Sequence, residues 1–218
     1  MKLEITILCS DRTHKIFPYL EKWRSSNLNN YKIRLVTSSK DVECGTILFL
    51  ISCTEIINQD IRNKFKKTLV IHESDLPKGR GWSPLVWQII EGSNSIPITL
   101  LEAEDKVDSG IIWEKRFVKL EGHETYNEIN SKIFPEKIKL MDFAIEHFND
   151  INPIPQANIE PTYFPKRMPK DSEIDVEKSI SEQFDLLRIA DPDRYPCFFQ
   201  FRNHKYKIVI EKINDDIV

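Results

Sequence analysis

A titratable imidazole closes the apolar run Leu69-Val70-Ile71 and opens the loop His72-Glu73-Ser74-Asp75-Leu76-Pro77-Lys78-Gly79-Arg80-Gly81-Trp82-Ser83-Pro84. Its glycines and prolines keep most of that loop out of regular structure. Downstream a carboxylate follows in the turn Asp108-Ser109-Gly110. An unperturbed imidazole titrates at about 6.5 and can both accept and donate a proton near neutrality. A carboxylate beside it holds the ring or stabilises its charged form. His72 and Asp108 are therefore candidate catalytic residues, of the kind an α/β protein presents at the carboxyl edge of its sheet. Alone, each has a plainer reading: a histidine after a strand is usually a strand-end residue, and Asp-Ser-Gly is a turn signal. Their combination, with the Pro and Arg-Gly loop between them, favours chemistry. Glu73 and Asp75 add two carboxylates that either act on His72 or a substrate amine, or face solvent.

These blocks resemble the folate-dependent formyltransferases, whose signature is Asn-x-His-x-Ser-x-x-Pro, then Arg-Gly-x-x-Pro, then an Asp in a D-x-G turn. His72, Ser74 and Pro77 match the first block, Arg80, Gly81 and Pro84 the second, and Asp108 with Gly110 the third. The spacing of His72 and Asp108 is the family's usual one. The likeness runs over residues 47–112 and more loosely over Tyr163-Phe164-Pro165-Lys166-Arg167 and the last strands. Position 70, where the family carries its Asn, is Val70. The resemblance implies a Rossmann-like core, His72, Asp108 and Ser74 in the catalytic site, and N10-formyltetrahydrofolate as co-substrate, with no metal. It places the folate between backbone groups near Thr54 and Ile56 and the loop carrying Asp105 and Val107. Within the family the chain is most similar to the sugar N-formyltransferases. That implies a nucleotide-linked amino-dideoxy sugar as acceptor and a role in glycan biosynthesis, of the pseudaminic-acid type. Arg12, in the loop after the first strand, is then the candidate diphosphate ligand, with Lys78 and Arg80 as alternatives. Trp82 either stacks on a base or sugar ring or, like Trp87 and Trp113, packs the core.

Formyl transfer to an amine requires removing a proton from the attacking nitrogen, stabilising an oxyanion on the formyl carbon and protonating the leaving folate nitrogen. Val70 cannot supply the hydrogen bond that the family's Asn gives the oxyanion, and one such donor is typically worth about two to three orders of magnitude in rate. Protonated His72 alone, Ser74 or a backbone amide can take its place, or the chain is a weak enzyme or a non-catalytic binding module on the same fold. Retention of Ser74, Arg80, Gly81 and Asp108 favours a working site. A glycinamide-ribonucleotide-type enzyme is the rival within the same chemistry, but its first loop is normally glycine-rich, whereas this one reads Ser10-Asp11-Arg12.

Composition narrows the partners. The 218 residues carry a formal net charge of −3 with pI near 6.0, which speaks against a polyanion such as tRNA. The chain is also shorter than full methionyl-tRNA formyltransferases, a second point against tRNA. Four cysteines form no Cys-x-x-Cys pair, so neither a zinc knuckle nor a redox couple is expected. No Gly-x-Gly-x-x-Gly follows the first strand, against a nicotinamide enzyme. No signal region or membrane span is read, so a cytoplasmic protein is expected.

The elements that must position His72 follow from periodicity. Residues 3–9, 33–37, 46–51 and 68–71 read as strands, and 16–25, 58–67 and 84–92 as helices. On this reading Lys64-Phe65-Lys66-Lys67 is a solvated helix face. Strands at 98–102 and 111–117 bracket Asp108, and 125–150 is an amphipathic helix with Pro135 offset in its stripe. The alternation predicts a doubly wound, mostly parallel α/β sheet. Residues 1–150 form the catalytic core. After a linker at 152–156, residues 151–218 form a small extension: a helix at 179–190 and a hairpin of 197–202 and 206–212 turning at Asn203-His204-Lys205. Phe199 and Phe201 share one hairpin face, which is either a homodimer surface or packs against the chain's own last helix.

Overall fold

The apolar runs of the first seventy residues form four parallel strands, β1 (Glu4–Leu8), β2 (Lys32–Val36), β3 (Gly45–Leu50) and β4 (Phe65–His72). The structure is a computed structural model and describes residues 2–213. β6 (Ser95–Glu102) and β7 (Ile112–Lys119) join antiparallel, giving the order β2-β1-β3-β4-β6-β7. β3 is apolar from Ile47 to Leu50 because both of its faces are buried, while β1 carries a buried Thr6 among its apolar residues. Ile5, Ile7, Ile47 and Phe49 enter the larger core, while Leu8, Leu48 and Leu50 enter a smaller one on the opposite face.

Four helices contribute to the larger core: α1 (Phe17–Asn27) through Phe17, Leu20 and Trp23, α3 (Pro84–Ile90) through Ile89, α4 (Tyr126–Glu146) through its buried stripe, and α5 (Phe184–Ile189) through Ile189. α4 starts in a capping box, with Thr125 N–H donating to Glu128 Oε2 at 2.7 Å. It runs through Pro135 and ends before residue 150. α2 (Gln59–Arg62) is far shorter than the helix expected over 58–67. Strand pairing wins there: Phe65 opens β4 opposite Gly45 and is buried, and a Cβ on Gly45 would stand 3.0 Å from the Phe65 ring. The basic run is therefore no helix face; Lys67 Nζ pairs with Glu102 at 2.6 Å across the sheet.

The segment read as a linker is pinned to the core. Ile154 and Ile112 exchange two backbone hydrogen bonds of 2.8 Å each. Beyond it, β8 (Tyr163–Phe164) pairs in parallel with β5 (Arg80–Gly81), inside the loop after His72. The helix expected over 179–190 divides into a 3₁₀ turn and α5 (Phe184–Ile189). β9 (Cys197–Phe201) and β10 (His204–Ile208) form the expected hairpin, but its turn is Arg202-Asn203, both at positive φ, and His204 already belongs to β10.

Candidate active site

β4 ends at His72, whose neighbours on the two sides alternate between the two cores. Leu69 and Ile71 point into the larger one, while Val70 shares the face of His72 and packs with the smaller one, beside which Cys53 and Ala103 also lie. The imidazole Nε2 is 2.8 Å from Gly79 O and 3.6 Å from Asp108 Oδ2. A carbonyl oxygen only accepts, so Nε2 carries the proton in this arrangement. The two side chains are 8% and 7% exposed, so the pair sits largely out of water.

Asp108 is placed by its own backbone and by three neighbours. It lies in the left-handed region at φ +53°, and Gly81 N–H donates to its Oδ2 at 2.9 Å. Gly81 has to be glycine: its φ is +97° and a Cβ would stand 2.6 Å from Phe164 O. Gly110, closing the turn, lies so close to β6 that a Cβ would meet Glu102 O at 1.9 Å. Gln156 completes the set, with Nε2 donating to Asp108 O at 2.8 Å and to Gly110 O at 2.9 Å.

Ser74 lies under the same loop. Its N–H donates to His72 O at 3.0 Å and its carbonyl accepts from Thr99 Oγ1 at 2.7 Å. Its hydroxyl is buried and has no partner among the described residues. Glu73 turns inward to an ion pair with Lys137 of α4, the two side chains being 14% and 3% exposed. Burial pushes the Glu73 carboxyl up, but the charge and hydrogen bond of Lys137 outweigh it and hold it below the usual carboxylate range. Asp75 pairs with Lys115 nearer the surface. His14, its ring centroid 5.9 Å from that of Phe134 and tilted by 49°, is pushed down to about 4 by burial first and by the charges of Lys137 and Arg194 next.

The two stretches expected to hold the folate carry exposed aliphatic side chains, Ile56 at 77% and Val107 at 45% exposure. Such side chains suit a flat heteroaromatic ring, so the residues present fit the group. Thr54 N–H is held by Ser10 Oγ at 3.0 Å, linking this stretch to the loop after β1. Asp105 is paired with Arg62.

The acceptor candidates fall in different settings. Arg12 is exposed, its guanidinium 5.9 Å from the Phe17 ring, in a loop stapled to the carboxy-terminal segment by Asp11–Arg194 at 3.0 Å and Lys15–Asp193 at 2.7 Å. Lys78 is exposed. Arg80 is buried, and its Nη2 and Nη1 donate to Gln156 Oε1 at 2.6 Å and Tyr163 Oη at 3.4 Å, so it braces the loop. Trp82 is half-buried with Lys166 Nζ 5.0 Å over its ring. Trp113 is a core residue bonded to Glu102, and Trp87 donates to Pro165 O at 2.9 Å. Sequence reasoning missed Lys137, Gln156 and Thr162, whose Oγ1 accepts from Gly79 N–H at 2.8 Å. Each lies more than forty residues from its partners, and no local pattern marks it. Among the described residues no group of three or more His, Cys, Asp or Glu could hold a metal ion, and no helix is long and apolar enough to cross a membrane.

Comparison with known proteins assigns the fold of this mostly parallel sheet, with its buried His-Asp pair at the end of the fourth strand. No protein-family model matches the chain. It is 31% identical over 203 residues, 91% of its length, to the bifunctional polymyxin resistance protein ArnA of Wigglesworthia glossinidia brevipalpis, and covers 30% of that protein. It is 29% identical over 78% of its length to the human mitochondrial 10-formyltetrahydrofolate dehydrogenase, covering 18% of it. The chain thus spans less than a third of either relative. Among solved structures, methionyl-tRNA formyltransferase from Clostridium thermocellum superposes with a TM-score of 0.83 at 22% identity, over 98% of this chain and 94% of that one. A sugar N-formyltransferase from a Shewanella species gives 0.72 at 15% identity, over 97% and 99%. The chain has the formyltransferase fold.

Proposed function

We propose that the protein transfers a formyl group from N10-formyltetrahydrofolate to the amine of a nucleotide-linked amino sugar. The observation that carries this reading is the buried His72–Asp108 pair, 3.6 Å apart, at the end of β4 in a formyltransferase fold. When bound, the folate supplies the activated formyl carbon. His72 takes the proton of the attacking amine and returns one to the leaving nitrogen. Asp108 stabilises the imidazolium between those events and orients the ring. The folate half is supported by the relative named for 10-formyltetrahydrofolate and by the exposed Ile56 and Val107. The sugar half is supported by the Shewanella neighbour and by the acidic balance of the chain. Arg12 is proposed for the diphosphate, Lys78 for a second anionic contact and Trp82 for the ring. Ser74 Oγ, buried and unpartnered among the described residues, is proposed as the side-chain donor that stands in for the family's Asn.

A second reading has its own observation. Val70 leaves the face beside His72 apolar, which suits a module that binds folate and acceptor without turnover. The test is release of tetrahydrofolate from N10-formyltetrahydrofolate against UDP- and dTDP-linked amino sugars, with glycinamide ribonucleotide and Met-tRNA included. Turnover with one sugar that His72→Ala abolishes, without loss of thermal stability, is the expected result. Turnover only with a non-sugar acceptor would overturn the sugar reading. Folate binding without turnover on any acceptor would leave the binding module.

A further inference from the structure

The segment between α4 and β8 has the composition of a linker, yet one of its side chains touches the candidate site from behind. Gln156 Nε2 donates both its hydrogens to main-chain carbonyls, Asp108 O at 2.8 Å and Gly110 O at 2.9 Å. Its Oε1 accepts from Arg80 Nη2 at 2.6 Å. Those two carbonyls flank the turn in which Asp108 adopts its positive φ. The orientation of the amide follows from chemistry: two carbonyl oxygens can be met only by an NH₂ group, and a guanidinium only by an oxygen. A carboxylate of the same shape would satisfy Arg80 and repel both carbonyls. The backbone pair Ile154–Ile112, two residues earlier, anchors the segment to β7, so the amide is presented from a fixed frame. Arg80 ties the same amide to the loop whose Gly79 carbonyl and Gly81 N–H hold His72 and Asp108 respectively.

We infer that Gln156 is a positioning residue: it locks the Asp108-Ser109-Gly110 turn to the Arg80 loop, and so sets the distance between the Asp108 carboxylate and His72. The kinetic part of this inference rests on the formyl-transfer reading; the geometric part does not. Gln156→Glu is nearly isosteric and reverses the hydrogen-bond complementarity at both carbonyls. Gln156→Asn keeps the amide but falls one methylene short, so it can reach only one of them.

Two readouts separate the lock from general stabilisation. The imidazole nitrogen and carbon resonances of His72, assigned by its absence in His72→Ala, report its surroundings without any substrate. Both variants are expected to move them, Gln156→Glu further than Gln156→Asn. In the transfer assay kcat is expected to fall roughly tenfold to a hundredfold in Gln156→Glu, with KM for the folate within about twofold, because the lost geometry acts on the reacting groups. Unchanged His72 resonances in a folded Gln156→Asn protein would overturn the inference even if stability fell, and so would a kcat within twofold of wild type in Gln156→Glu. If the wild-type protein transfers no formyl group, the function reading fails while the resonances still decide this one.

Discussion

Lys137→Met tests whether the buried Glu73–Lys137 pair is what keeps the segment after His72 in place. The side chains are 14% and 3% exposed, so water screens them little. Removing the lysine strands the Glu73 carboxylate, and breaking one side of a buried pair costs about 3–5 kcal/mol. For a domain of this size each kcal/mol lowers Tm by about 2–4 °C, so a fall of roughly 6–20 °C is expected at pH 7. The pH dependence has a definite sign. In the native protein Lys137 holds the Glu73 carboxyl below its ordinary value of 4.5, so its contribution is present above that pH and is lost as pH falls through the lowered value. In the variant burial, the largest cause, is opposed only by the weaker pull of His72 and of the Glu73 backbone, and it pushes the carboxyl up, so acid neutralises the stranded charge. The gap between the two proteins must therefore narrow as pH falls from 7 towards 4. Urea unfolding at several pH values measures it. Adding Glu73→Leu to Lys137→Met removes both charges and is expected to recover most of the loss, because apolar replacement of a whole buried pair is often neutral or better. A single variant within about 1 kcal/mol of wild type at pH 7, or a double variant no better than the single, would refute the reasoning.

Two further outcomes probe the site itself. Val70→Asn places an amide on the apolar face beside His72 and is expected to raise turnover, with about two to three orders of magnitude as the ceiling for one oxyanion donor; a fall in the transfer assay would mean that Ser74 or a backbone amide already fills that place. Gly110→Ala drives a Cβ to 1.9 Å from Glu102 O, so the turn must shift, at about 1–3 kcal/mol by thermal unfolding, and turnover is expected to fall with it; wild-type turnover would show that the Asp108 turn tolerates displacement.

The sheet strands and the His72, Ser74 and Asp108 positions were readable because each rests on local information. A strand buried on both faces favours a continuous apolar run, and β3 and the end of β4 carry one. Gly81 and Gly110 are likewise readable as loop and turn residues, and the structure supplies the reasons: Phe164 and Glu102 leave no room for a Cβ. The helix expected over 58–67 failed for the opposite reason. Phe65 and Lys67 are consistent with a helix face taken alone, and only pairing with β3 pulls them into a strand. Residues 152–156 are irregular backbone as their Pro and Asn suggest, but composition does not say that the Ile154–Ile112 pair fixes that backbone to the core.

What the sequence determined by itself is the chemistry available: an imidazole at a strand end, a carboxylate in a turn, glycines where side chains cannot fit, and no amide at position 70. Which groups meet was decided by the tertiary structure. Asp108 reaches His72 because loops far apart in the chain converge over β4. Glu73 faces a lysine because α4 packs on that side of the sheet, and Gln156 holds the turn because β8 returns to pair with β5. Periodicity reports the face a residue shows to its own element, whereas a hydrogen bond between residues 48 or 64 positions apart depends on how whole elements pack, which no local pattern encodes.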